Sequence, residues 1–64
     1  MKYSTIEDFI KRSNYYINDI DYDDHIFNIN VTNLEAFSQT IKFKATTLAE
    51  CMEQLLKWAN ENLR

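Results

Sequence analysis

A chain of 64 residues that contains neither glycine nor proline has to reverse direction without the residue that supplies positive φ and the one that pre-sets a turn. Its turns are therefore built without either of the residues that usually make turns cheap.

Two segments carry the spacing of a capping box, in which a Ser or Thr hydroxyl accepts from the amide three residues on and a Glu reaches back: Ser4-Thr5-Ile6-Glu7 and Thr47-Leu48-Ala49-Glu50. Behind the first, Ile6, Phe9, Ile10, Ser13, Tyr16, Ile17 and Ile20 follow the three-four spacing of one helical face, predicting a helix that ends near Asn18. Behind the second, Leu48, Met52, Leu55, Leu56, Ala59 and Leu63 predict another that runs to the C-terminus, with Cys51 one position off its main stripe.

Between the two helices the period becomes two. From His25, Phe27, Ile29 and Val31 point one way while Ile26, Asn28, Asn30 and Thr32 point the other. A second strand is predicted where Phe37, Ile41, Phe43 and Ala45 oppose Thr40, Lys42 and Lys44. A one-residue slip would move every side chain to the wrong face, so odd positions must face odd positions. Pairing Ile29 with Ile41 and Phe27 with Phe43 does this, through a five-residue connection from Asn33 to Phe37 in which Asn33 is the best candidate for positive φ. The expected fold class is α+β: a small single domain over residues 1–64, α-β-β-α, with two helices packed on one face of an antiparallel β-hairpin.

A domain of 7.7 kDa has little margin. Folding removes about 6,800 Å² from water, worth on the order of 100 kcal/mol of apolar burial against about 96 kcal/mol for ordering the chain. A partner surface would add stability, and the hairpin's edges stay open unless residues 1–4 or another chain adds a strand.

Ten acidic residues against seven basic ones give a net charge of −3, without the Lys/Arg stripe that phosphate neutralisation requires, so direct nucleic-acid binding is not expected. One cysteine excludes an internal disulfide and suits a reducing compartment. Residues 1–8 lack a signal peptide's apolar core and no apolar run approaches the ~20 residues of a membrane span, so the expected location is cytoplasmic.

Asp19, Asp21 and Asp23 have the spacing of the first three ligands of a calcium loop, but Asp24 stands where that loop needs glycine and Asn30 where it needs a bidentate glutamate. A solvated acidic turn or a protein-contact patch is the alternative. His25 could complete a carboxylate–histidine set, or simply stand at a strand edge beside acids. Cys51 reads as a structural thiol. With one histidine and no glycine, nucleophile elbows and phosphate-cradling loops cannot be assembled, so neither catalysis nor a cofactor is expected. Tyr15 and Trp58 sit at the edges of their helical stripes, where exposed rings act as interface anchors or wrap a small core incompletely.

The stretch Phe43-Lys44-Ala45-Thr46-Thr47-Leu48-Ala49-Glu50-Cys51-Met52-Glu53 resembles the strand-into-helix step of HicB-type antitoxins and of the T7-phage inhibitor of bacterial RNA polymerase. The resemblance covers about a sixth of the chain and lacks the antitoxins' glycine-containing turns, so it carries over no functional residue. It implies a small protein that works by binding other proteins.

The function expected from the sequence is a small acidic, non-catalytic protein-interaction module that inhibits or regulates a larger protein or nucleoprotein complex, as a phage-encoded inhibitor would. Its expected contact residues are Tyr15, Asp19, Asp21, Tyr22, Asp23, Asp24 and Trp58. The alternatives are a regulatory, antitoxin-like homodimer assembled through sheet edges and, third, a divalent-cation module built on Asp19–Asp24.

Overall fold

The computed structural model of the chain describes residues 2–36 and 38–63, so Met1 and Phe37, both invoked above, lie outside the described residues. Five elements follow one another: α1 (Ile6–Arg12), β1 (Tyr15–Asp23), β2 (Ile26–Asn33), β3 (Thr40–Ala45) and α2 (Leu48–Asn62). The strands form one antiparallel sheet in the order β1-β2-β3. Both helices contribute to the core on the side that carries Ile29 and Val31. The α+β class is as expected, but the hairpin is widened by a third strand built from residues that the helical spacing had assigned to the first helix and the segment after it.

α1 stops after Arg12 because Ser13 leaves the helix with extended backbone, its N–H donating to Phe9 O at 2.9 Å. Its hydroxyl then accepts from Tyr15 N at 3.2 Å. The residues that follow, Tyr15, Tyr16 and Ile17, are aromatic and β-branched and suit a pleated surface better than a helix. Ile17 pairs with Val31 and Asp19 with Asn30, leaving Asn18 without a partner as a β-bulge. That one extra residue resets the alternation. Tyr15, Ile17, Ile20 and Tyr22 all share the helix side, while Asp19, Asp21 and Asp23 share the other. The carboxylates Asp19, Asp21 and Asp23 lie along a solvated strand.

β1 returns into β2 through two residues, Asp24 (φ 53°) and His25 (φ 64°). Two positive φ values in a two-residue hairpin match the right-handed twist of the strands, a geometry that Asn-Gly normally supplies. Asn33 is not the left-handed residue expected. Its carboxamide instead accepts from Glu35 N at 2.8 Å and donates to Gln39 Oε1 at 3.1 Å, organising a longer loop. In consequence Ile29 faces Phe43 and Val31 faces Ile41, a slip of two residues from the expected pairing that preserves parity and hence the buried face.

α2 starts as expected, Thr47 Oγ1 accepting from Glu50 N at 3.2 Å. Its stripe is rotated, though, so that Cys51, Leu55 and Ala59 form the fully buried line while Leu48, Met52, Leu56 and Leu63 flank it. At the other end Thr5, one residue later than expected, caps α1 by accepting from Asp8 N at 3.0 Å. Asp8 also takes a bidentate bond from Arg12 at 2.6 and 2.5 Å, which holds its carboxyl below the usual carboxylate range. The described residues before the helix add no strand. Arg12 donates to Lys2 O at 2.6 Å, and the Asn60 carboxamide brackets Tyr3, accepting from its N–H at 2.6 Å and donating to its C=O at 3.0 Å. The folded surface is 4457 Å², close to the ~4,300 Å² expected for this mass.

Asp and His tolerate positive φ better than most residues but less well than Asn and Gly. The double variant Asp24→Asn, His25→Gly is expected to raise the melting temperature by several degrees, about 1 kcal/mol; an unchanged or lower midpoint in calorimetry would refute the strained two-residue turn.

Candidate interaction surface

With both helices on one side, the opposite face of the sheet carries only its own side chains. Across it run three full rows: Tyr16–Thr32–Thr40, Asp19–Asn30–Lys42 and Asp21–Asn28–Lys44; Asp23 stands beside Ile26 at the end. The first row is the most enclosed, with Thr32 buried and its hydroxyl 3.2 Å from that of Thr40. The others form three columns: carboxylates on β1, carboxamides on β2 and ammonium groups on β3. Strands lie about 4.8 Å apart, so the backbones that carry the two charged columns are roughly 10 Å from each other, with the amide column between them. Among the described residues the ion pairs are Lys11–Glu7 and Arg12–Asp8, both within α1. The acidic and basic columns therefore remain available to other molecules. A surface depression of about 400 Å³ lies between them, lined by Asp21, Asp23, Ile26, Asn28 and Lys44 among others.

The helix side of β1 is covered for only part of its length. Tyr15 is buried and Ile17 partly so, but Ile20 is 49% and Tyr22 56% exposed, beyond the reach of a seven-residue α1. Tyr22 packs its ring 4.5 Å from that of Phe27, and its hydroxyl lies 3.4 Å from His25 Nδ1.

The residues singled out in the sequence thus divide. Asp19, Asp21, Tyr22, Asp23 and Asp24 are all exposed on β1 and its turn, with Tyr22 on the opposite face from Asp19, Asp21 and Asp23. Tyr15 and Trp58 belong elsewhere. Tyr15 is 9% exposed and meets the edge of Trp58 at 5.2 Å, which in turn meets Phe43 at 5.8 Å. With Phe9 and Tyr3 they form a chain of aromatic contacts through the core, so the two rings are packing groups, Trp58 keeping part of its surface exposed. The sequence placed Lys42 and Lys44 on the polar face of their strand but not among the contact residues, because they register across the sheet from the carboxylates only once β1 is known to be a strand.

The calcium-loop spacing does not survive the geometry. Carboxylates at alternate positions of an extended strand are spread along a line at about 6.6 Å intervals, whereas a calcium loop curves to bring its oxygens to about 2.4 Å from one point. Among the described residues no three His, Cys, Asp or Glu side chains gather to hold a metal. Cys51 is fully buried, and its thiol donates to Phe27 O at 3.2 Å. Burial pushes its pKa up, with Glu50 adding in the same direction. No described helix is long and apolar enough to cross a membrane.

No protein-family model, curated protein or solved structure matches this chain.

Because the thiolate is the reactive form, Cys51 in the folded protein is expected to react with a disulfide reagent at pH 8 at least a hundredfold more slowly than in denaturant. Comparable rates in the two states would contradict its burial between α2 and the sheet.

Proposed function

We propose that this chain is a non-catalytic protein-interaction module that inhibits or regulates a larger protein by docking the uncovered side of its sheet. The observation that carries this reading is the pair of charged columns, acidic on β1 and basic on β3, exposed on a face that no described helix covers and without ion-pair partners among the described residues. Opposed columns about 10 Å apart recognise a surface of complementary pattern. Asp19, Asp21 and Asp23 engage its basic part, with Asp24 at the adjoining turn, while Tyr22 stands on the other face of the same strand. A phage inhibitor or an antitoxin would use such a surface to occupy its target by contact alone.

A second reading, a regulatory homo-oligomer joined through sheet edges, is favoured by the opposite charge of the two edge strands.

The test is capture of protein partners on the immobilised chain, compared with the triple variant Asp19→Asn, Asp21→Asn, Asp23→Asn. A specific partner is expected to bind the parent at least tenfold more tightly than the variant and to weaken steeply as salt rises from about 50 to 500 mM. Equal binding by both chains, or binding indifferent to salt, would eliminate the acidic column as the contact.

A further inference from the structure

Both edges of the sheet are open. Among the described residues no backbone bond joins residues 16–23 or 40–45 to anything but β2 and their own turns. Such edges are templates for strand addition, and natural proteins guard them with charge. Here the guards have opposite sign.

The possible pairings between two copies are few. Joining β1 to β1 sets Asp19, Asp21 and Asp23 against the same carboxylates, and joining β3 to β3 sets Lys42 and Lys44 against the same ammonium groups; like charges directly across a strand pair are destabilising. The unlike pairing has no such conflict. β1 presents Asp at alternate positions with Ile20 and Tyr22 between them, while β3 presents Lys at alternate positions with Ile41 and Phe43 between them. Set side by side with the helices on one side, Asp21 and Asp23 neighbour Lys42 and Lys44 at about 4.8 Å between strands instead of roughly 10 Å, Asp19 neighbours Thr40, and the half-exposed Ile20 and Tyr22 come beside Ile41 and Phe43 of the second copy. β1 and β3 both run antiparallel to β2, so this junction is parallel.

We infer that a second copy of this chain docks its β1 edge on the β3 edge, head to tail, extending the sheet. The inference rests on the protein-binding reading and names one partner for it. A junction of about six residues buries less than the ~800 Å² per partner of a stable interface, so association is weak and rises with concentration. The pairing is heterologous, so every oligomer keeps one acidic and one basic edge free at its two ends and short linear oligomers form.

Sedimentation of the full chain tests this together with two variants whose substitutions all lie on exposed strand positions, Asp21→Lys with Asp23→Lys and Lys42→Asp with Lys44→Asp, each checked for native circular dichroism. At about 1 mM protein and low salt the parent is expected to show a weight-average mass at least twofold above the 7.7 kDa monomer, falling toward the monomer in about 500 mM salt. Each variant alone has two edges of like sign and is expected to stay monomeric, whereas their equimolar mixture restores association. Amide exchange in the parent is expected to slow with concentration in residues 16–23 and 40–45. A parent that remains monomeric, variants that associate as the parent does, or protection appearing elsewhere would each overturn the inference. A monomer that still captures a partner dependent on its acidic column removes this inference alone and leaves the protein-binding reading standing.

Discussion

Strand parity governs this structure. A sheet with helices on one side tolerates no odd slip, because the side-chain period is two and a single displaced residue would carry a strand's apolar set to the solvent. β1 spaces its apolar residues two, three and two apart at Tyr15, Ile17, Ile20 and Tyr22, which no regular strand can keep on one face. The bulge at Asn18 absorbs the odd residue. With it, the same nine residues give the core Tyr15 and Ile17 and give the open face Asp19, Asp21 and Asp23.

From that division the remaining features follow. A core assembled from one face of three strands is thin, and it is closed by the approach of α2 through the small residues Cys51 and Ala59 on either side of Leu55. The thiol bond to Phe27 O ties the helix to the sheet, and the Asn60 carboxamide fastens the segment before α1 across the far end of α2. Among the described residues no element covers the second face or the edges, whose charges are separated by the neutral amides of Asn28 and Asn30. The architecture concentrates packing on one side and unsatisfied electrostatics on the other.

The C-terminal helix and the start of the first helix were legible in the sequence, and the rest of the fold was only partly so. Thr47 and the stripe behind it predicted α2 because caps and a sustained three-four spacing are local signals. The parity of β2 against β3 was also readable, although their register moved by two once Asn33 organised a longer loop than expected. The third strand was not. Spacings of two and three are shared by a bulged strand and a helical face, and the reversal at Asp24 and His25 lacks the glycine that marks such turns. The exposed carboxylates could be picked out from charge alone. That Lys42 and Lys44 complete the same surface, and that Tyr15 and Trp58 belong to the core, depends on pairing between distant strands.

Deleting Asn18 tests the central claim most directly. In a bulged strand it is the surplus residue, and without it Tyr15, Ile17, Ile20 and Tyr22 alternate perfectly and every other pairing with β2 is retained. The deletion variant is therefore expected to keep a dispersed amide NMR spectrum and to melt cooperatively within a few degrees of the parent, about 1 kcal/mol either way. A helix through these residues would be rotated by about 100° past the deletion, turning its apolar face away from the core. Loss of spectral dispersion or of cooperative melting in that variant would contradict the account.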